Sequence, residues 1–342
     1  MRILHAAEDI AGISGTLAQY QRSQGHDVTT LCYHPSEFQY PSDISFPEWP
    51  RLSGVEKLAR MLNASRELIP RVDVLHLTGG RTLLPYMVDL PLARKLGKTV
   101  IVHFHGCEIR QTARSAGRPG VHCYECELRP KCDIGKQLGR LRMAKEFADA
   151  ILCSTPDLLA AVPEAIYLPN PIDVDLWESY SLPPLTRPRP FRVMHRPTSP
   201  ELKGTVHVLK AVEGLIREGL PIELRSSTSL IPHDLMFAEY QRADLMVEQL
   251  YMGWYGVAAV EAMAMGKPVM AWLRPTLREK FGDPPVIQAD RYTIQTRIRE
   301  TFESDDCTAL ASAAGLDYVH QVHDARKIGA RVMQIYRDVG HG

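Results

Sequence analysis

Short apolar segments alternate with amphipathic segments along most of the chain. Strand-like segments in the amino-terminal half are RILHAA, HDVTTLCY, VDVLHLTGG, KTVIVHFHG and DAILCST. Between them lie segments with apolar residues at helical spacing, such as VEKLARMLNASREL. This alternation is typical of a parallel sheet with helices on both faces. We therefore predict an α/β domain whose ligands bind at the carboxyl ends of the strands.

The alternation stops at residues 178–190, the proline-rich segment ESYSLPPLTRPRP, and then begins again. FRVMHRPT, PIELRS, DLMVEQL and KPVMAWL are the predicted strands of a second α/β domain. The predicted organisation is a first domain at 1–177, with a cysteine-rich insertion at about 107–135, a linker at 178–190 and a second domain at 191–320. The final segment, 321–342, is a predicted helix that suits packing on either domain.

The overall charge of the chain points to no charged macromolecular partner. Lys plus Arg equals Asp plus Glu at 40 each, so no net field favours nucleic acid. The longest apolar runs are strand-sized and shorter than the roughly 18 residues of a membrane span. Because the chain starts on a strand without an apolar signal core, we predict a cytoplasmic protein without a transmembrane segment. Peripheral contact with a membrane remains open.

Glycines and histidines follow the predicted strands of the first domain. The glycines suit tight turns as well as ligand contacts; they are Gly12, Gly15, Gly79 and Gly80. His103 lies within a strand, which favours a core or rim histidine. His105 comes one step after the strand and directly before a glycine, so it is better placed to contact a ligand.

The second domain has a candidate nucleotide site. Arg196 and Lys203 flank the loop RPTSPELKGT, which follows a strand and precedes a helix. A guanidinium, an ammonium and backbone N–H groups suit a diphosphate, although solvated surface cations give the same pattern. Glu261 lies on a helix at the same edge of the sheet, and a carboxylate accepts two hydrogen bonds from a ribose. Together these residues predict a nucleotide site.

These motifs resemble family 4 glycosyltransferases, which have the GT-B fold of two Rossmann-like α/β domains facing across a cleft. HFHG resembles the family's His-Gly segment and LPNPID, at 168–173, its Asn-Gly-Val-Asp crossover. RPTSPELKG resembles its Arg…Lys-Gly phosphate loop, and VEAMAMGKPV its glutamate helix. The resemblance extends over nearly the whole chain in element order.

The resemblance implies a retaining hexosyltransferase that uses a nucleotide-sugar donor. Its acceptor would be a sugar, a glycolipid or a small molecule, bound on the side of the first domain. Glu261 would then bind the ribose, Arg196 and Lys203 the diphosphate, and His105 would face the donor sugar. Cations and helix termini stabilise a departing diphosphate electrostatically, so no catalytic metal is expected.

The chain departs from the family pattern in its glycine-rich loops. Gly253 stands where the family has a first glutamate, and GWYG, at 253–256, replaces the usual GFG loop. Glu248 is a substitute acid whose spacing does not match. We expect Gly253 and Gly256, with Trp254 and Tyr255 between them, to contact the donor, the aromatic rings covering the sugar. Gly12 and Gly15 of the GISG loop replace the family's amino-terminal double glycine and are assigned to the donor as well.

Two alternatives to the transferase share its architecture. A non-catalytic partner subunit is favoured by the glutamate missing at Gly253 and opposed by the retained Arg196, Lys203 and Glu261. A nucleotide-sugar 2-epimerase would need acid and base groups in the cleft, and the sequence shows no clear pair.

Four cysteines have the spacing of metal ligands. HCYECELRPKC contains Cys123, Cys126 and Cys132 in a polar segment, and Cys107 follows His105 closely. This pattern suits a tetrahedral structural zinc, with His122 as an alternative fourth ligand; an iron–sulfur cluster, scattered thiols and a redox role are the other interpretations. Four protein ligands leave no open position for chemistry, so the predicted zinc is structural.

We expect purified protein to contain close to one zinc per chain. A segment this polar buries little apolar surface to offset its ordering entropy, and metal coordination would supply that order. A Cys123→Ser, Cys126→Ser double variant should lose the metal and become protease-sensitive at about 110–135. Elemental analysis that finds neither zinc nor iron, with all thiols reactive, would contradict the assignment.

Overall fold

The computed structural model describes residues 1–34, 38–110, 132–181, 190–226 and 232–340. It divides into two compact units. Among the described residues, the first unit contains 1–110, 133–171 and 325–340, and the second contains Cys132 and 172–324. Within the described ranges, no helix is long and apolar enough to cross a membrane.

The first unit is built on a parallel sheet with helices around it. Its strands are β1 (Arg2–Ala6), β2 (Asp27–Cys32), β3 (Ile44–Ser45), β4 (Val74–Thr78), β5 (Thr99–Phe104), β6 (Ala150–Cys153) and β7 (Ile166–Tyr167). Their order in the sheet is β3-β2-β1-β4-β5-β6-β7, and every neighbouring pair is parallel. The helices between its strands are α1 (Ile13–Ser23), α2 (Gly54–Leu68), α3 (Leu90–Lys95) and α4 (Ile134–Phe147).

Local sequence explains where these elements form. All residues of β4 and β5 are buried, as expected for strands covered on both faces by crossover helices. Helix α2 begins with a capping box, in which the Ser53 hydroxyl accepts from the Glu56 amide and the Glu56 carboxylate accepts from the Ser53 amide. Two amide groups of the first turn are thereby satisfied.

The second unit repeats the same construction with a smaller parallel sheet. Its strands are β8 (Phe191–His195), β9 (Ile222–Ser226), β10 (Leu245–Gly253), β11 (Val269–Leu273) and β12 (Ile287–Gln288), in the order β12-β11-β10-β8-β9. Its helices are α5 (Val174–Ser179), α6 (Pro200–Lys203), α7 (Thr205–Arg217), α8 (Met236–Gln241), α9 (Val257–Ala264), α10 (Pro275–Phe281), α11 (Ile294–Glu303) and α12 (Asp305–Val322). Two parallel α/β sheets agree with the predicted fold class.

The division between the units differs from the sequence-based boundary at residue 177. Ile172, Val174 and Trp177 belong to the apolar core of the second unit. The Trp177 ring lies 4.3 Å from the Phe237 ring of α8, centroid to centroid. Since Trp177 has its apolar partners there, α5 forms part of the second unit. Of the predicted linker, 182–189 lie outside the described residues.

The last helix, α13 (Ala325–Val339), belongs to the first unit. Its apolar face buries Ile328, Val332 and Ile335, and it packs against α1. Gly329 allows the approach, because a Cβ atom at this position would lie 2.1 Å from the Tyr20 ring. The structure thus selects one of the two packings that the sequence left open.

We expect Gly329→Ala to destabilise the first unit by about 1–3 kcal/mol, the usual cost of overpacking. Gly139→Ala is the matched control, since Gly139 also lies inside a helix and its Cβ would meet no atom within 4 Å. That control should be neutral or slightly stabilising because alanine favours a helix. Urea unfolding of both variants measures the difference; equal stabilities would contradict the packing of α13 on α1.

Candidate functional site

Each sheet has a switch point, a strand from which the chain continues to one side of the sheet and later returns to the other side. In the first unit β1 lies between β2 and β4, and in the second unit β8 lies between β9 and β10. Ligands of open parallel sheets bind outside the carboxyl ends of the strands at such points. A ligand of either unit is therefore expected at these two edges.

An ion pair joins partly exposed Lys203 and buried Glu248 at the edge of the second sheet. The Lys203 ammonium contacts Oε1 of Glu248, whose side chain is 1% exposed. The other carboxylate oxygen, Oε2, has no hydrogen-bond partner among the described residues. Gly256 lies against the pair, because a Cβ there would be 3.2 Å from Glu248 Oε1. An ammonium has three donors, so Lys203 keeps two for other acceptors.

Two helices begin at this edge without side-chain caps. Helix α7 starts after Gly204 and α9 after Gly256, and in the described part of the chain neither start has a side-chain cap. Arg196 follows β8, with its Nη1 atom 3.3 Å from Oε2 of Glu239. Open helix amino termini beside a guanidinium and an ammonium form a favourable environment for an anion.

His195 links strand β10 to the start of helix α7 by hydrogen bonds. Its Nδ1 atom lies 2.8 Å from the Val247 carbonyl oxygen of β10, and its Nε2 atom 2.9 Å from the Thr205 hydroxyl at the start of α7. Burial lowers the pKa of His195 to about 4, so the ring is neutral at pH 7. This neutral ring positions α7 without adding charge.

Glu261 lies on α9 at the same edge, but it is buried and already bound to protein groups. The Tyr240 hydroxyl donates to Oε2 at 2.8 Å, and His233 Nε2 lies 2.9 Å from Oε1. The Trp177 ring packs edge-on against His233 at 5.2 Å between centroids. The carboxylate is therefore held in one orientation, and each oxygen keeps capacity for a second hydrogen bond.

The expectation that Trp254 and Tyr255 cover a sugar is not met by their positions. Their side chains are only 3% and 1% exposed and lie in the core of the second unit, with rings stacked 5.2 Å apart. The Tyr255 hydroxyl bonds to Tyr318 and to His323, at 2.9 Å each. Buried apolar contacts and these hydrogen bonds fix the pair in the interior. The two residues therefore anchor the loop 253–256 to the core of the second unit.

Gly253 ends β10 in a left-handed conformation. Its φ is +76°, and its carbonyl oxygen accepts from the Arg274 amide at 2.9 Å. A residue with a side chain is strained at such a φ, so glutamate does not suit this position in the present backbone. The acid nearest in sequence is Glu248, which sequence reasoning noted only as a poorly spaced substitute.

At the edge of the first sheet lies a cleft of about 920 Å³, within the size range of ligand sites. Its apolar side includes Tyr33 and Trp49, whose rings stack 4.9 Å apart. Its polar side includes Glu8, Arg81 and Arg140, with Arg81 3.2 Å from Glu8. The cleft suits a ligand with both polar and apolar surface.

Gly12 is closely packed in the first unit, and Gly15 lies beside the capped first turn of α1. A Cβ at Gly12 would lie 2.8 Å from the Tyr40 ring, so the ring covers this glycine. Near Gly15, Asp9 accepts from the Ser14 amide at 3.1 Å and caps the first turn of α1. An anion therefore has less access here than at α7 and α9, and the assignment of these glycines to the donor stays a prediction.

His103 and His105 lie at the end of a row of histidines across the first sheet. Buried His5, His76 and His103 come from β1, β4 and β5, with ring centroids 4.8 and 5.3 Å apart. His105 continues the row 4.2 Å from His103. Burial lowers the pKa of His105 to about 4, and its Nε2 atom is buried without a partner among the described residues. His103 is thus a core residue, as expected, and His105 keeps one unused nitrogen.

Two of the four predicted zinc ligands, Cys123 and Cys126, lie outside the described residues. Cys107 is exposed, and its Sγ atom lies 3.4 Å from Arg110 Nη1. Cys132 is partly exposed. The described part of the chain contains no group of three or more His, Cys, Asp or Glu arranged for a metal. The zinc site stays a prediction.

Comparison with solved structures identifies the fold. The chain is similar to sucrose-phosphate synthase from Thermosynechococcus elongatus, with 14% identity, 99% of both chains covered and a TM-score of 0.73. It is similar to HepE from Anabaena in complex with UDP-glucose, at 13% identity over 99% of this chain and 100% of that one, with a TM-score of 0.65. The catalytic domain of starch synthase IV from Arabidopsis thaliana, bound to ADP and acarbose, matches at 13% identity over 100% of both, with a TM-score of 0.64.

The chain has the GT-B fold of glycosyltransferase structures. No family model matches the sequence, and no curated protein sequence matches significantly. At identities this low the likeness establishes the architecture, and the chemistry must be argued from the residues.

Lowering the pH should destabilise the first unit through its buried histidines. Burial lowers the pKa of His5 to about 4 and those of His76 and His103 well below 6.5. The unfolded chain binds protons near pH 6.5 and the folded chain does not. The stability is therefore complete above pH 7 and is lost as the pH falls from 6.5 toward 4.

Each such histidine removes about 1.4 kcal/mol per pH unit in that window. Urea unfolding at several values between pH 7.5 and 5 measures the slope. His76→Gln should reduce the slope of the unfolding free energy against pH by the contribution of one histidine. An unchanged slope would show that the His76 ring does not stay neutral in the folded chain.

Proposed function

We propose that the protein is a glycosyltransferase that moves a sugar from a nucleotide-sugar donor to an acceptor. The observation that carries this proposal is the edge formed by β8 and β10. Arg196 follows β8, Lys203 contacts Glu248 of β10, and Glu261 lies on α9, one of the two helices that begin here without a side-chain cap. This set combines anion-binding groups with an oriented acceptor for hydroxyl groups, as a nucleotide diphosphate requires.

The diphosphate is the part of the donor that these cations suit best. As the glycosidic bond breaks, negative charge grows on the diphosphate, and fixed cations and amide groups stabilise it. Lys203 donates from its two remaining N–H groups while Glu248 holds its ammonium in place. The resemblance to family 4 glycosyltransferases adds retention of configuration to this proposal. No step of this scheme requires a metal.

Glu261 is proposed to accept hydrogen bonds from the ribose. Tyr240 keeps one oxygen in position, and His233 is 26% exposed at its side chain, so a hydroxyl group can join or replace it. Proteins of this fold have been solved with UDP, UDP-glucose and ADP, which supports a nucleoside diphosphate as the leaving group.

The acceptor is proposed to bind in the cleft of the first unit. Trp49, which stacks on buried Tyr33, provides an apolar surface for a sugar ring, and Arg81 and Arg140 provide hydrogen-bond donors. A sugar, the sugar part of a glycolipid or a small polar aromatic compound fits this lining.

A non-catalytic partner subunit is the second candidate, and one observation favours it. Arg196 and Lys203 each contact a glutamate, so the cationic edge is partly neutralised within the protein. Such a subunit would lack turnover in every donor and acceptor combination. Measured transfer therefore separates the two candidates.

The sharpest test of the phosphate assignment is the double variant Lys203→Ala, Glu248→Gln, which leaves no unpaired buried charge. We expect its turnover to fall about 10- to 100-fold, as for loss of one charged hydrogen bond that strengthens in the transition state. Nucleotide affinity should fall less.

Lys210→Ala is the matched control, because Lys210 is an exposed residue on the helix that follows Lys203. Glu248→Gln alone reports the effect of the acid. Normal turnover of the double variant would place the phosphate site elsewhere.

A further inference from the structure

The nitrogens and hydroxyls of the histidine row form a continuous series of hydrogen bonds inside the first unit. The series runs through Gln21, Tyr336, His76, His103, Ser154 and His105. Each member except His105 is nearly inaccessible to solvent. Because water does not reach them, their hydrogen-bond partners are protein groups: the other members of the series, His5 beside Gln21, and the Phe104 carbonyl oxygen beside Ser154.

Sheet register explains why these side chains meet. His5 and His76 are directly paired on β1 and β4. His76 pairs with Ile101 on β5, and His103 lies two residues further along that strand. Residues two apart point to the same face, so the rings form a diagonal row. Ser154 follows β6 next to the end of β5.

The far end of the series sets its direction. His5 Nε2 lies 2.8 Å from Oε1 of Gln21, which places the amide nitrogen toward the Tyr336 oxygen at 3.4 Å. Tyr336 then receives a hydrogen bond and donates its single proton to His76 Nδ1 at 2.5 Å. A neutral His76 therefore has its proton on Nε2, 3.2 Å from His103 Nδ1.

The same reasoning fixes the protons from His103 to His105. With Nδ1 as acceptor, His103 has its proton on Nε2, 3.3 Å from the Ser154 hydroxyl oxygen. The Ser154 hydroxyl also lies 3.4 Å from the Phe104 carbonyl oxygen, but its contact with His105 Nδ1 is the closer one, so it donates to Nδ1. His105 is left with its proton on Nε2, the buried atom without a partner among the described residues.

We propose that Tyr336, His76, His103 and Ser154 are positioning residues that hold His105 as the Nε2–H tautomer, so that it donates a hydrogen bond to an oxygen of a bound ligand. The identity of that oxygen, a sugar hydroxyl, rests on the proposed function; the tautomer does not. In this form His105 orients the sugar and does not accept a proton. A 180° rotation of the Gln21 amide would reverse the donor and acceptor in every hydrogen bond of the series and leave a lone pair on His105 Nε2. The experiment distinguishes these two directions.

The test is nitrogen NMR of the ligand-free protein with ¹⁵N-labelled histidine. The His105 signals are identified by their loss in His105→Gln. We expect a protonated Nε2 and an unprotonated Nδ1. Ser154→Ala and the remote Tyr336→Phe should each give a mixture of tautomers, whereas Ser154→Thr should preserve the parent pattern. Tyr318→Phe removes a bonded hydroxyl from the second unit and should leave the signals unchanged.

A protonated Nδ1 in the parent protein would overturn the proposal, as would signals that respond to neither Ser154→Ala nor Tyr336→Phe. The two variants act at opposite ends of the series, so a folding defect in one leaves the other informative. Where transfer is measurable, Ser154→Ala should lower kcat/KM about tenfold and Ser154→Thr should restore it. NMR results as expected with no transfer by any donor would retain the tautomer and reject the proposed function.

Discussion

Parallel pairing of the strands is the constraint on which the rest of this structure depends. A parallel connection needs a crossover, so every strand of a sheet ends at the same edge and every following helix begins there. Beside β8 the crossovers leave on opposite sides, and the starts of α7 and α9 both lie against side chains of β10, Gly204 near Leu250 and Gly256 near Glu248. Glycines at both starts keep side chains away. The edge of the second unit therefore carries the features on which the proposed diphosphate site rests.

The buried charges at this edge are arranged for binding more than for stability. Glu248 is removed from water while Lys203 keeps 17% of its side chain exposed, and a well-packed apolar pair is often as stable as a buried ion pair. Glu261 is likewise buried, with Tyr240 and His233 holding its oxygens. Groups fixed in this way lose little entropy when a ligand binds, because their orientation is already set. The first unit follows the same principle with neutral groups in its histidine row.

Much of the fold could be read from local sequence because it depends on local patterns. The strand and helix alternation and the helix of Glu261 are examples, since period and turn residues are visible within a few positions. The expected exposure of Trp254 and Tyr255 toward a sugar differs from their burial in the structure, because that burial depends on Tyr318 and His323, more than sixty positions away. The packing of α13 and the row from His5 to His105 join residues far apart in sequence, and no local pattern encodes them. Glu248 was undervalued for the same reason: its partner Lys203 lies on another element.

Calorimetric titration with UDP, GDP, dTDP and ADP tests the central claim most directly, namely that a nucleotide binds at the edge of the second sheet through Glu261. The account predicts that at least one nucleotide binds, and that Glu261→Gln weakens it by about 1–3 kcal/mol, the usual loss for a charged hydrogen-bond partner. Glu279→Gln, an exposed acid of the same unit, should bind as the parent does. Absence of binding by every nucleotide, or equal affinity in the parent and Glu261→Gln, would contradict it.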